Sequence, residues 1–276
     1  MVRNLPLILK ILMKKFFLIY AFIFLTIFSG NGQITAYQPG EKVDYLIHYG
    51  LITGGEATLE VKKDTTFGTE LWHTVIVGRT TGLADAIFNV LDIYESYINP
   101  RTELPVRSVR NIKEGKYKRY NVVDFDHSTR PDSTILTSDM TGVHIAPPAI
   151  HDILSCFYWF RNRILPNIDT VEKGDIITIN TWFTDELYPI RMRYMGTDEV
   201  RTRAGKIKCH MFNPVTEKGR LFKTEEDVSV WFSSDKNFLP VKIRFDIFVG
   251  AFIVDLVNYE GLAYPLEIKQ KESKKE

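Results

Sequence analysis

The stretch 235-DKNFLPVKIRFDIFVGAF-252 is the most informative about the architecture. Its pattern predicts two strands around a glycine turn, and a similar stretch occurs upstream. That counterpart, 101-RTELPVRSVRNIKEGKY-117, has the same Leu-Pro-Val and a glycine at the matching place. One constant offset in residue number relates a series of identical pairs. The pairs are Asp92 and Asp227, Leu104 and Leu239, Pro105 and Pro240, Val106 and Val241, Ile112 and Ile247, Gly115 and Gly250, and Val122 and Val257. We expect a duplicated β meander, with coincidence as the alternative.

The fold class follows from short runs of β-branched and aromatic residues separated by Gly, Pro, Asn and Asp. We expect a mainly β, antiparallel protein, with one β-rich domain at 33–266 built from related halves at about 41–137 and 172–260. The two meanders should form a strongly curved sheet or an open barrel. Each Leu-Pro-Val should lie at a strand start or a sheet edge, because proline donates no hydrogen bond to a ladder.

One principal helix is predicted at 148–164, joining the halves and packing on the concave side of the sheet. The prolines of "APPA" suit a first turn, Asp152 falls near the start, and Arg161 and Arg163 fall near the end, where the helix dipole favours them. Its apolar stripe consists of Ile150, Ile153, Leu154, Phe157, Phe160 and Ile164. A shorter helix is predicted in "GLADAIFNVLD", where Leu83, Ile87 and Leu91 have helical spacing.

The N-terminus has the features of a secretory signal peptide over residues 1–32. Four basic residues and no acid accompany an apolar run at 16–28, which is shorter than the roughly 20 residues that span a bilayer. We expect export, to the periplasm or the extracellular medium, and no transmembrane span after cleavage; an uncleaved anchor is the alternative. Translation could begin at Met1 or Met13. The charged segment 267–276 is predicted to be a disordered tail.

The charge balance argues against nucleic acid as a partner. The whole chain has 35 basic and 34 acidic residues, and without residues 1–32 it has 31 and 34. Binding a polyanion needs a basic surface that releases counterions.

The two cysteines, Cys156 and Cys209, have two interpretations. In an oxidising compartment they could form a disulfide. Otherwise they are small, buried apolar residues.

Motifs for catalysis, nucleotide binding and metal binding are absent from the sequence, so we expect no metal and no cofactor. His144, His151 and Asp152 lie near the predicted helix start, where solvated helix-end residues are the simpler interpretation.

A polar cluster is predicted around "RNIKEGKY" and the preceding strand. The candidates are Asp92, Glu95, Arg110, Glu114 and Tyr117. Arg110 and Glu114 are expected to pair across a hairpin, either as part of a polar site or as a cross-strand salt bridge near water.

The later hairpin is far more apolar than its counterpart. Its residues Ile243, Phe245, Ile247, Val249 and Ile253 are predicted on one face, and Phe248, Phe252, Val254 and Leu256 on the other. Both faces would then need cover, from a second sheet or from an apolar cavity. The residues predicted to bind an apolar ligand are Phe157, Phe160, Phe245, Phe248, Phe252 and Val254.

Several of these segments together resemble domain-of-unknown-function family 3108. They are "GGEATLEV", "IFNVLDIYESYI", "RNIKEGKY" with "VVDFD", "DILSCFYWFRN" and "NPVTEKGRLFKTEEDVSVWFSSDKNFLPVKI". The resemblance runs from about Pro39 to Tyr264 and implies an exported, β-rich protein of Gram-negative bacteria without an established activity or catalytic residues. Cys156 departs from the family pattern, which argues against a shared role for this thiol.

Three functions are consistent with the sequence. A non-enzymatic envelope protein that shields a lipid or other apolar small molecule, or an apolar segment of an envelope protein, fits an exported curved sheet best. A hydrolase of envelope polymers would instead use the carboxylates named above. A structural assembly factor would dock on outer-membrane components through an unpaired sheet edge.

Overall fold

The computed structural model describes residues 36–215, 227–247 and 249–269. The strands are β1 (Lys42–Tyr49), β2 (Ile52–Asp64), β3 (Leu71–Thr80), β4 (Val90–Ile98), β5 (Pro105–Glu114), β6 (Tyr117–Asp126), β7 (Thr134–Ser138), β8 (Gly142–Ala146), β9 (Ile176–Ile179), β10 (Trp182–Phe183), β11 (Glu186–Leu187), β12 (Ile190–Arg201), β13 (Lys206–Pro214), β14 (Val228–Ser233), β15 (Pro240–Asp246), β16 (Ala251–Glu260) and β17 (Ile268–Lys269). The helices are α1 (Gly82–Ile87), α2 (Ile153–Trp159), a π-helix (Phe160–Ile164) and a 3-10 helix (Leu165–Thr170).

One antiparallel sheet contains nearly all of these strands, in the order β8-β7-β6-β5-β4-β3-β2-β1-β16-β15-β14-β13-β12-β9. The outermost strands β8 and β9 are not paired with each other, so the sheet does not close. The short strands β10 and β11 form a separate hairpin. The predicted fold class, an antiparallel curved sheet or open barrel with one principal helix, is confirmed.

The sheet shows the same offset as the sequence. The strands of the two halves are related by the same difference in residue number as Pro105 and Pro240. When this difference is added to the residue numbers of β1 to β6, they fall on β9, β12, β13, β14, β15 and β16, respectively. Both prolines begin a strand, as predicted, and the backbone at Glu103 and Phe238 has a positive φ of 63° and 45°. Such φ values are uncommon for residues other than glycine, so their recurrence at the same offset favours duplication.

The principal helix packs on the face of the sheet that carries Val43 and Tyr45, here called the inner face. It begins at Ile153 rather than at 148, because the Asp152 side chain caps it by accepting hydrogen bonds from the backbone N–H groups of Leu154 and Ser155. The prolines of "APPA" lie before the helix, in a turn where Ala149 has a φ of 54°. The α- and π-helical part ends at Ile164, and a separate 3-10 helix follows with Pro166 in its first turn.

A buried ion pair fixes the helical segment against the start of β1. Both Nη atoms of Arg161 donate to the carboxylate of Glu41, over 2.6 and 3.0 Å, and both side chains are fully buried. Arg161 also donates to the carbonyl oxygens of Asn237 and Ala36, which saturates much of the guanidinium. A buried charge is tolerable only with such partners.

The two cysteines are free thiols and belong to different core clusters. Cys156 projects from α2 into the inner core, while Cys209 lies on the outer face of β13 beside Ile207, beneath the C-terminal segment. The sheet lies between them, so the disulfide interpretation was wrong and both are buried, small residues. Burial raises the pKa of both thiols, that of Cys209 to about 12, which keeps them protonated and unreactive.

The C-terminal segment is ordered further than the sequence indicated. Ile268 and Lys269 form β17 against β13, and Leu266 and Ile268 pack against the core. The predicted tail at 267–276 was therefore wrong for residues 267–269, because Ile268 packs against the apolar core. Residues 270–276 lie outside the described residues.

The predicted signal peptide at 1–32 also lies outside the described residues. Within the part of the chain that is described, no helix is long and apolar enough to span a membrane.

Candidate functional site

An apolar cleft of about 580 Å³ opens on the inner face, at the end of the sheet away from α2. Its apolar side chains come from β1, β2, α1, β4 and β16. They are Ile47, Tyr49, Ile52, Ala84, Val90 and Phe252. The polar lining residues are His48, Arg79, Thr80 and Asp92. A volume between about 300 and 1,000 Å³ with mostly apolar walls and few polar groups is typical of small-molecule sites.

Small residues create this cleft. Gly55 and Ala57 lie on the inner face of β2, and Gly78 lies beside Ala57 on the inner face of β3. A Cβ atom at Gly78 would meet no heavy atom within 4 Å, so its position faces open space. On the opposite wall the rings of Tyr49 and Phe252 are 5.4 Å apart, and the Tyr49 hydroxyl donates to the carbonyl oxygen of Val249 over 2.7 Å.

The residues predicted to bind an apolar ligand divide into two groups. Phe252 lines the cleft, and Val254 lies on the same face, partly buried against the core. Phe157, Phe160 and Phe245 instead belong to the second core cluster, where Phe160 packs on Phe212 with ring centroids 5.1 Å apart. Phe248 lies outside the described residues.

The predicted arrangement of the later hairpin was wrong in two respects. Ile243 is paired with Val254, and Phe245 with Phe252, so these four side chains share one face instead of occupying opposite faces. The predicted burial of both faces of the hairpin was also too high, since Val249 is 74% exposed and Phe252 is 45% exposed. The turn changes the alternation between the strands, and a pattern read along each strand separately cannot show this.

Four of the five predicted polar residues share the inner face of β4, β5 and β6. The exception is Glu95, which points to the outer face and contacts His73 Nε2 over 2.7 Å. Partial burial, followed by the nearby charge of Asp92, raises the pKa of Glu114. Tyr117 is exposed at the end of β6.

Arg110 does not form the predicted ion pair with Glu114. Both residues are on β5, four positions and therefore about 13 Å apart along the strand, rather than on opposite strands of the hairpin. The guanidinium instead lies over two rings, 4.9 Å from the centroid of Phe183 and 5.9 Å from that of Tyr94. These are cation–π contacts, in which the aromatic rings rather than a carboxylate stabilise the guanidinium.

A small polar pocket, which the sequence did not reveal, lies between Arg110 and the β10–β11 hairpin. It has a volume of about 30 Å³, enough for two or so water molecules at about 10–15 Å³ each. Asp185, with its side chain 4% exposed, is 3.5 Å from the Arg119 guanidinium and accepts no hydrogen bond from the described residues. In a pocket of this size, water molecules can hydrogen-bond to buried polar groups such as the Asp185 carboxylate. The signal in the sequence was weak, because "TWFTDEL" places a polar pair between apolar residues but lacks the Asn-Gly or Asp-Gly that favours a tight hairpin.

The residues near the helix start are structural. His151 is buried, stacks on Trp159 at 5.5 Å, and lies 3.3 Å from the Ser155 hydroxyl. That hydroxyl is already engaged in the cap with Asp152, so it is not a free nucleophile. Among the described residues, no three His, Cys, Asp or Glu side chains are grouped as a metal site requires.

Comparisons with known proteins agree with this architecture. The chain is similar to the crystal structure of a beta-barrel-like protein of domain of unknown function DUF1849 from Brucella abortus, with a TM-score of 0.55 and 9% identity. The likeness covers 81% of this chain and 98% of that chain, and at this identity it shows the fold alone. The chain matches no curated protein. The family model described as "Protein of unknown function (DUF3108)" matches residues 44–257, most of the chain, so the chain belongs to this family.

Proposed function

We propose that this protein is a non-enzymatic carrier that shields an apolar small molecule or lipid in the cleft on its inner face. The observation that carries the proposal is the cleft itself, with about 580 Å³ of space and mostly apolar walls. A concave apolar surface of this size is the usual form of a small-molecule site. The glycine at position 78 keeps the space open.

The ligand would place its apolar part between Phe252 and Gly78 and a polar group near Thr80 and Asp92. Such a division suits a molecule with one apolar chain or ring system and a small polar end. An apolar segment of a partner protein in the envelope would meet the same surface.

The proposed location is outside the cytoplasm, in the periplasm or the extracellular medium. Its support is the N-terminal sequence at 1–32, which combines a basic start with an apolar run. In such a compartment a carrier would keep an apolar molecule out of water between membranes.

The test is titration of the protein with Nile red, whose fluorescence rises in apolar surroundings. Gly78→Phe fills the cleft without backbone strain, since the position is open and has no positive φ. We expect at least a tenfold loss of affinity. Val77→Phe is the control, because its side chain lies on the opposite face of the same strand. Equal affinities for Gly78→Phe and the wild type would refute the proposal.

A hydrolase is less well supported. Two carboxylates that cleave a glycosidic bond flank the substrate at about 5–9.5 Å. Glu95 lies on the opposite face of the sheet from Asp92 and Glu114 and is hydrogen-bonded to His73, so it is not placed to act with either carboxylate.

An assembly factor is the second candidate, because β8 is an unpaired edge of the sheet. The backbone of β8 could pair with an added strand from a partner, and the exposed side chains Val143 and Ile145 could contact it. Val143→Pro would then abolish recovery of that partner with the protein from the envelope, whereas a carrier without this role would show no change.

A further inference from the structure

Five apolar side chains protrude at the mouth of the cleft and are here called the rim: Leu51, Leu83, Ile87, Phe88 and Val249. All are more than half exposed. The helix α1 is the clearest case, since it has no buried residue and exposes Leu83 by 74% and Ile87 by 78%. A helix with a purely solvent-facing apolar side is unusual in a soluble domain, because the apolar stripe of a helix normally faces a core.

The rim is continuous, and its parts come from turns at one end of the sheet. The Tyr49 hydroxyl ties the β1–β2 hairpin to Val249. Strand β2 is in turn linked to α1. The backbone N–H of Thr81 donates to the carbonyl oxygen of Gly54 over 3.0 Å, and a Cβ at Gly54 would lie 3.6 Å from the Cβ of Ala84. The rim therefore surrounds the cleft instead of being scattered over the surface.

The β5–β6 hairpin extends the rim with positive charge. The ring of Phe88 packs on its turn, since a Cβ at Gly115 would lie 2.9 Å from Phe88 Cε2. Lys113, Lys116 and Lys118 are exposed there, and none forms an ion pair with the residues that the structure describes.

Two of these lysines are unfavourably placed in the protein alone. Lys113 and Lys118 are directly opposite each other on β5 and β6, and like charges in this position repel. Three acids at this end have partners: Glu56 pairs with Arg79, Asp246 pairs with Arg244, and Asp85 accepts hydrogen bonds from Thr80 and Asn89. Asp92 and Glu114 lie on the inner face, the opposite face of the sheet from Lys113 and Lys118. An external anion would relieve the repulsion.

We propose that the rim docks on the surface of a membrane containing anionic lipids. The five rim side chains would enter the boundary between headgroups and acyl chains, and the three lysines would meet the headgroups. Docking would place the mouth of the cleft against the bilayer, so an apolar ligand could pass between them without crossing water. Only this last consequence rests on the proposed carrier function.

Cosedimentation of the full chain with vesicles tests the docking. The vesicles contain phosphatidylcholine alone or mixed with phosphatidylglycerol. We expect Leu83→Glu combined with Ile87→Glu to lower binding at least tenfold, and Lys116→Gln to lower binding only to the mixed vesicles, about fivefold. The control, Val143→Glu with Ile145→Glu, changes equally exposed residues on β8 and should bind like the wild type.

The rim variant should fold, because α1 buries none of its side chains; Leu51→Glu, at a fully exposed turn, is a second variant. Wild-type binding by the rim variants, or an equal loss in the β8 control, would overturn the proposal. So would a wild-type dimer that the rim variants dissociate without any change in vesicle binding, since a second copy would then be the occupant. Nile red binding separates the two proposals: the rim variants should retain it, whereas Gly78→Phe should lose it and still bind vesicles.

Discussion

His151 makes the stability of the protein depend on pH. Burial lowers its pKa from 6.5 to about 4, so the folded state keeps the ring neutral while the unfolded chain takes up a proton first. Stability is therefore complete above pH 6.5 and is lost as the pH falls towards 4. The loss should reach about 3 kcal/mol, because each pH unit between the two pKa values contributes about 1.4 kcal/mol. Urea unfolding at several pH values measures this slope, and His151→Gln should reduce it.

The control for His151 is His144→Gln, the same substitution at a partly exposed histidine on β8. His127 and His210 also have pKa values lowered by burial, so part of the slope should remain in every variant. The raised pKa of Asp152, caused by burial, acts in the opposite direction. The difference between the two His variants isolates His151, and identical slopes would contradict the prediction.

Individual residues of the site were predictable where they belong to a strong pattern. Phe252 was found because the later hairpin is apolar at nearly every position. Arg110 and Glu114 were found, but their pairing was wrong, because the sequence does not show where β5 ends. Asp185 was missed, because its burial depends on a hairpin that folds over strands from a distant part of the chain, where Arg119 lies.

The β10–β11 hairpin has a turn that its residues do not favour. Thr184 and Asp185 have φ values of 54° and 62°, which a β-branched residue rarely adopts. Thr184→Gly should therefore raise the free energy of unfolding by about 1 kcal/mol, measured by urea denaturation. Thr178→Gly is the matched control on β9, where extended backbone suits threonine, and it should lower stability by about 0.5–1 kcal/mol. A loss of stability in both variants would show that the turn is not strained.

The helices show what periodicity can and cannot predict. The spacing of Leu83, Ile87 and Leu91 indicated a helix, which is correct for Leu83 and Ile87 but not for Leu91, because Leu91 lies on β4. The spacing also did not indicate that the apolar side of α1 faces solvent. Spacing identifies which side chains share a face, whereas burial depends on what lies opposite. The start of α2 was missed for a local reason: Asp152 and Ser155 form a capping box, which stops the helix from extending back to the prolines.

At the scale of the whole molecule, the repeat predicted the strands of both halves but not their order in the sheet. The pairing of β1 with β16 joins the two ends of the domain, and alternation within a strand carries no information about such a distant partner. The structure places the meanders one after the other in a single sheet, with Leu256 opposite Tyr45 at the junction. The Tyr45 hydroxyl also donates to the carbonyl oxygen of Pro240 over 2.8 Å, across the two halves.

This junction should make the two meanders unfold as one unit, because one core cluster contains residues of both meanders and of α2. Leu256→Ala, at a fully buried position, should lower the free energy of unfolding by about 2–5 kcal/mol. Its effect can be followed by fluorescence in variants that retain only Trp72, on β3, or only Trp231, on β14. Both signals should shift to the same lower urea concentration. Leu136→Ala, buried near the far edge of the first meander, should also shift both signals together. If Leu136→Ala moved the Trp72 transition and left that of Trp231 unchanged, the halves would be independent units joined only by paired edge strands.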